Sequence, residues 1–283
     1  MNYRHAFHAG NFADVFKHAI FARSLTYLNQ KNNAYRVIDT HAGVGIYDLR
    51  QDEASRTEEW REGIGRLWQQ ALPAPLVEFL KPYLDTVAAL NPSGDLRLYP
   101  GSPELARRLS RPQDRLALCE LHPQDNMALR RAMGRDPRVT TLGIDGWVAL
   151  NAQVPPKERR GLVLIDPPFE KPGEFDRLSA SIQQAHAKWP TGTYCAWYPG
   201  KHLSEIENFA RTMRRLALPA TLRMELWIRD PRDQQRLNGN GIIMINPPWT
   251  LARDLELVLP ALVELLAQGE GACGAIEWIV PQT

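Results

Sequence analysis

Between residues 115 and 217 the chain alternates short apolar runs with stretches of helical periodicity, and this rhythm constrains the fold more than any other feature. RLALCEL (115–121), VTTLGID (139–145), GLVLID (161–166) and TYCAWYP (193–199) read as strands. Helical patterns over 123–134, a short one from Trp147, 173–188 and 203–217 follow them in turn. Strands joined through helices run parallel, and the crossovers cover both faces of the sheet. The expected fold is therefore α/β, a doubly wound and mostly parallel sheet.

The flanking segments extend this pattern. Asn11 is a plausible N-cap with Asp14 three residues on, and Phe12, Val15, Phe16, Ala19 and Ile20 recur at helical spacing, so a helix is predicted over 11–29. YRVID (35–39) makes the first core strand. From 52 to 90 the pattern is helical and no convincing strand interrupts it. After the turn signal NPSGD, the segment YPGSPELARRL starts a helix with Pro103 in its first turn, where a missing N–H costs little. TLRMELWI (221–228) and GIIMINP (241–247), joined by the polar DPRDQQRLNGN loop, suggest an antiparallel edge, followed by a helix over 251–268 and a last strand at AIEWIV (275–280).

In a doubly wound sheet, ligands bind at the carboxyl ends of the strands, where strand order reverses. The turn DTHAGVG leaves the first strand and supplies Gly43 and Gly45, which would let the backbone approach a cofactor. Two glycines also suit an ordinary turn. Glu120 ends the next strand, placed to accept hydrogen bonds from both ribose hydroxyls of a nucleoside. Asp145-Gly146 ends the third, where an acid and a backbone N–H can read an adenine edge. Two strand ends carry a rigid diproline turn with a polar residue before it and an aromatic after it, Asp166-Pro167-Pro168-Phe169 and Asn246-Pro247-Pro248-Trp249. A fourth strand returning beside the first puts DPPF at the chemistry. NPPW is expected to be structural, on the closing edge, with Trp249 packed beneath the sheet.

With 44% hydrophobic and 23% charged residues the chain is globular rather than disordered. Its three cysteines lack CxxC spacing and suit a reducing cytosol. The N-terminus has no apolar signal core, and no run approaches a membrane span, so a cytoplasmic protein is expected. The net charge of +2 barely favours a polyanion. Basic clusters at Arg107, Arg108, Arg111 and Arg115, at Arg130, Arg131, Arg135 and Arg138, and at Lys157, Arg159 and Arg160 read either as solvated helix faces or as phosphate contacts. His5, His8 and His18 lack partners at metal-ligand spacing, so no metal is expected.

An acid ending the second strand, an Asp after the third and DPPF after the fourth resemble S-adenosylmethionine-dependent amino methyltransferases. More narrowly, YRHAFHAGNFADVFKH, DTHAGVG, YPGSP, ELHP, DPPF, TGTYCAWYP and NPPW resemble the bacterial RlmJ type, the 23S ribosomal RNA adenine-N6 methyltransferases, over nearly the whole chain. That resemblance implies a Rossmann-like class I methyltransferase domain (1–46 and 96–283, with 1–34 an N-terminal arm and helix) and a helical subdomain inserted at 47–95. The insertion accounts for the roughly eighty residues between Asp39 and Glu120, where an uninterrupted fingerprint has about twenty. It implies cofactor contacts at His18, His41, Gly43, Ser102, Glu120, Asp145, Gly146 and Asp166. Asp166 would be catalytic with Pro167 and Phe169, and Tyr3, Arg4 and His5 would form an arm touching RNA. His41 departs from the general methyltransferase loop, and Phe169 replaces the commoner Tyr, keeping a stacking face without a hydroxyl. The implied partner is 23S ribosomal RNA, free or in early assembly, acted on by a monomer. Guanine-N2 and DNA adenine-N6 methyltransferases share DPP[F/Y], glutamine methyltransferases favour NPP[Y/W], and a non-catalytic RNA-binding protein on the same fold is the alternative from another class.

Overall fold

A computed structural model describes residues 5–233 and 236–282. In chain order the elements are α1 (Phe12–Leu28), β1 (Arg36–Asp39), β2 (Ile46–Asp48), α2 (Asp52–Thr57), α3 (Ala74–Leu90), β3 (Leu98–Pro100), α4 (Ser102–Leu109) and β4 (Arg115–Cys119). They continue with α5 (Pro123–Met133), β5 (Val139–Leu142), α6 (Gly146–Gln153), β6 (Gly161–Ile165), α7 (Glu174–Lys188), β7 (Thr193–Gly200) and α8 (Leu203–Leu216). The chain closes with β8 (Thr221–Trp227), β9 (Gly239–Ile245), α9 (Leu251–Leu266) and β10 (Cys273–Val280).

Eight strands form one sheet in the order β10-β8-β9-β7-β6-β1-β4-β5. From β7 to β5 all neighbours are parallel, and β9, β8 and β10 add antiparallel pairs. The expected doubly wound sheet is present. β1 pairs β4 on one side and β6 on the other, so the order reverses between β1 and β6 and leaves a crevice outside their carboxyl ends. All five residues of β6 are buried, as a strand covered on both faces requires. Alternate side chains enter opposite layers. Leu162 and Leu164 join α1, α3, α4 and α9 in one core, while Val163 and Ile165 join α6, α7 and α8 in the other.

Two expectations for the last part are corrected. β9 lies between β7 and β8, and the outer strand is β10, which pairs only with β8 among the described residues. Trp249 does not pack beneath the sheet; it is 71% exposed. Asn246 holds the turn instead, with φ of +52° and Nδ2 donating to the carbonyls of Pro190 and Gly192, both at 2.8 Å. These bonds hold the turn without any contribution from the indole.

A short antiparallel pair flanks the helical 52–90 stretch and is not legible in the sequence, β2 with β3, in register Ile46↔Pro100 to Asp48↔Leu98. Three-residue strands carry too little alternation to register as a period. Within this segment α3 buries Leu76, Phe79, Leu80, Tyr83 and Val87 in the same core as Phe16 and Leu255. That second layer over α1 explains why α1 is buried nearly all round, including its polar residues Asp14, Lys17 and His18.

Candidate active site

The crevice outside β1, β4 and β6 is a cleft of about 1420 Å³. It is lined by His5, His18, His41, Gly43, Ser102, Glu120, Asp145, Gly146, Asp166, Pro167 and Phe169. The expected site residues of the described chain therefore converge on one cavity. Tyr3 and Arg4 lie outside the described residues.

The turn after β1 needs its glycine backbone. Gly43 has φ of +62°, in the left-handed region where a side chain is strained, and a Cβ there would meet the Tyr47 hydroxyl at 2.3 Å. Its N–H donates to Glu120 Oε2 at 2.9 Å, and His122 N donates to Oε1 at 2.7 Å. Burial raises the Glu120 carboxyl against these two stabilising donors. A carboxylate has about four acceptor directions, so the pair of bonds leaves capacity for two ligand hydroxyls. Asp145 caps α6, accepting from Trp147 N at 2.8 Å and Val148 N at 3.2 Å. Gly146 presses against the first turn, where a Cβ would stand 2.2 Å from the Thr40 carbonyl. His41 bonds Thr40 Oγ1 at 2.8 Å, packs edge-on to Trp147 and is pushed down to about 4 by burial, so the ring is neutral at pH 7. Ser102 Oγ donates to Asp39 Oδ2 at 2.6 Å, and burial raises that carboxyl to about 7.

Asp166 leaves β6 at the switch point. Its Oδ2 lies 2.5 Å from Lys17 Nζ, whose other partner is Asp14 Oδ1 at 3.0 Å. Asp14 in turn accepts from Gly10 N at 2.9 Å and meets His5 Nε2 at 3.0 Å. Burial opposes the Lys17 ammonium, but the carboxylates of Asp14 and Asp166 outweigh it and raise its pKa. Burial likewise opposes the Asp14 carboxylate, and His5, Lys17 and His18 together hold it well below its usual range. His18 bonds Tyr99 Oη at 2.8 Å and is lowered to about 3 by burial. Phe169 has φ of +50°, a costly conformation for a non-glycine residue, and its ring packs on Phe175 at 4.9 Å and edge-on to Trp197 at 5.9 Å.

The NPPW turn is remote from all of this. β9 runs antiparallel to β7, with Tyr194↔Ile245 at one end and Gly200↔Gly239 at the other. Asn246 therefore emerges at the edge where β7 begins, opposite the edge where Asp166 emerges.

Residues 32–280 match the family described as "Ribosomal RNA large subunit methyltransferase D, RlmJ". The chain belongs to the RlmJ family. Two relatives, from Haemophilus influenzae and Escherichia coli, are each described as "Ribosomal RNA large subunit methyltransferase J". They are 39% and 40% identical over 283 residues, covering all of both chains. A crystal structure of a Legionella pneumophila protein superposes with a TM-score of 0.87 at 38% identity, covering 96% of this chain and 98% of that one. As an RlmJ family member the protein is a ribosomal RNA methyltransferase that uses S-adenosylmethionine. The cleft suits that group: Glu120 keeps acceptor capacity, Gly146 clears the floor, and carboxylates predominate around a cationic ligand.

Several residues of this RlmJ cleft had no signal of their own in the sequence. Lys17, Asp14, Thr40 and Trp197 enter through contacts between segments far apart in the chain; Lys17 and Asp166 are 149 residues apart. The basic clusters divide. Arg107 and Arg108 pair with Glu104 at 2.7 and 2.5 Å, Arg111 with Asp114 at 3.0 Å and Arg138 with Asp136 at 2.6 Å. Those four hold turns and helix ends of the protein itself. No group of three or more His, Cys, Asp and Glu side chains among the described residues has a metal-binding arrangement, and no described helix is long and apolar enough to cross a membrane.

Proposed function

We propose that this cleft transfers the methyl group to the exocyclic N6 of one adenine in 23S ribosomal RNA, with Asp166 as the catalytic carboxylate. The observation that carries this reading is the state of that carboxylate. Lys17 engages Oδ2, and Asp166 lines the cleft together with Phe169 and Trp197. The lone pair of N6 is delocalised into the ring, so catalysis has to localise it. Asp166 Oδ1 and the Pro167 carbonyl accept the two N6 hydrogens and draw the nitrogen toward tetrahedral geometry. Pro167 and Pro168 make the turn rigid, so both acceptors are aimed before the base arrives. S-adenosylmethionine supplies an electrophilic methyl group. Asp166 or water then takes the proton that N6 releases.

Phe169 stacks on the flipped adenine, contributing about 1–3 kcal/mol against the few kcal/mol needed to unstack it. Lys17 is a positioning residue. Its ammonium fixes the rotation of the Asp166 side chain, and Asp14 and His5 fix Lys17. Glu120 holds the ribose, Asp145 and Gly146 the adenine of the methyl donor, and His18, His41, Gly43 and Ser102 complete its seat. His5, which lines the cleft, meets RNA, and residues 47–95 form an inserted helical subdomain. The enzyme acts as a monomer in the cytoplasm, on free or early-assembly RNA.

The test is methylation of transcribed 23S RNA followed by nucleoside mass spectrometry. N6-methyladenosine is expected from the wild type and none from D166A, which still binds S-adenosylmethionine by titration. N2-methylguanosine as the product would replace the adenine assignment, and full activity of D166A would end the assignment of Asp166.

A further inference from the structure

The cleft is rich in carboxylates, an awkward lining for a polyanionic substrate. Four Lys or Arg side chains also line it: Lys17, Lys171, Arg177 and Lys201. Two are occupied. Lys17 is bound between Asp14 and Asp166, and Arg177 lies over the Trp147 ring at 4.9 Å with Asp145 at 3.7 Å. Lys171 and Lys201 make no salt bridge with any described residue.

Both line the same cleft as Asp166, on the segments that follow β6 and β7. β6 and β7 are adjacent and parallel, paired to Ile165↔Ala196, so the chain leaves both strands at the same edge of the sheet. Lys171 follows Phe169 by two residues, in the turn between the left-handed Phe169 and Gly173. Lys201 follows β7. Trp197, Pro199 and Lys201 all line the cleft, as alternation along an extended strand places them, while Tyr198 points to the other face and bonds Glu225 at 2.6 Å. The root of Lys201 is fixed. Gly200 pairs with Gly239 so closely that a Cβ on it would lie 2.5 Å from the Gly239 backbone, and Asn238 N donates to the Gly200 carbonyl at 3.1 Å.

We propose that Lys171 and Lys201 form a two-point clamp on the RNA backbone, each taking a phosphodiester beside the nucleotide that enters the Asp166–Phe169 turn. This rests on RNA being the substrate. Ammonium groups held in no salt bridge within an acid-rich cleft attract phosphates, and each contact displaces a condensed counterion. Such contacts set the register of the strand without reading its bases.

The test measures binding of a labelled single-stranded oligoadenylate to the full-length protein between 50 and 200 mM KCl. The K171Q/K201Q variant is compared with K157Q/R159Q, which removes the same charge from the loop before β6, at the opposite edge of the sheet. The expected result is a log–log salt slope about 1.4 shallower for K171Q/K201Q, roughly 0.7 per lost contact with a single strand. Its S-adenosylmethionine affinity stays at the wild-type value, and K157Q/R159Q keeps the wild-type slope. A slope in K171Q/K201Q equal to that of the wild type, or an equal change in both variants, overturns the clamp. Should the wild type make no N6-methyladenosine while the slope still shifts as expected, the clamp stands and only the target assignment falls.

Discussion

Replacing Lys17 with methionine removes one charge from a buried chain of four ionisable groups, and the cost can be worked from its surroundings. Lys17 is 3% exposed and lies 2.5 Å from Asp166 and 3.0 Å from Asp14. Methionine has a similar length, so little cavity forms and the lost ion pairing dominates. Breaking a buried pair from one side costs about 3–5 kcal/mol, because a charge is left uncompensated. Asp14 keeps His5 and the Gly10 N–H, and Asp166 borders the cleft, which places K17M near the lower end, about 3 kcal/mol. In a chain of this size that lowers the melting temperature by about 6 °C. The decisive comparison is D14N/K17M. Removing both opposite charges should cost no more than about 3 kcal/mol in total, leaving a coupling of about 2 kcal/mol between the two sites. Urea unfolding of the wild type, both single variants and the double variant measures it. Costs that add to within about 0.5 kcal/mol would refute the network as an energetic unit. In activity, K17M should lower kcat by about a hundredfold with a smaller change in KM, since a carboxylate free to rotate is misaligned.

Other expectations follow from single contacts. F169A should weaken RNA binding by about 1–3 kcal/mol while leaving cofactor titration unchanged; equal RNA affinity would remove the stacking role. G146A should impair S-adenosylmethionine binding, because its methyl group would collide with the Thr40 carbonyl at 2.2 Å; calorimetric titration checks this. Asp39 gives a pH signature. Burial raises its folded-state pKa to about 7 from an ordinary value of 3.8, so the folded form holds a proton that the unfolded chain has released. Its contribution is therefore fully present below about pH 4 and lost as the pH rises toward 7, a loss on the order of 4 kcal/mol. D39N should gain stability relative to the wild type across that window and hold a constant difference above it. A pH-independent difference in chemical denaturation would contradict the raised carboxyl. W249A, at an exposed ring remote from the cleft, should change neither stability nor transfer by a measurable amount.

What the sequence determined by itself was everything carried by local pattern. The strand-to-turn signals at Asp39, Glu120, Asp145 and Asp166 each lie within a few residues, and apolar periodicity set the helices, so the α/β class and the clustering of these positions at one edge were legible. Motif resemblance added the family. Tertiary structure decided what depends on direction and on distant partners. DPPF and NPPW are near-identical as strings, and only the antiparallel course of β9 sends the second to the far edge of the sheet. Trp249 looked like a core residue because its type usually is, yet the turn bonds of Asn246 are satisfied without it. Lys17 carried no signal of its own in the sequence. It became the partner of Asp166 because α3, α4 and α9 close over α1 and exclude water from it, and a buried ammonium is tolerated only where carboxylates surround it. No window of the chain contains that closure, since Lys17 and Asp166 alone lie 149 residues apart.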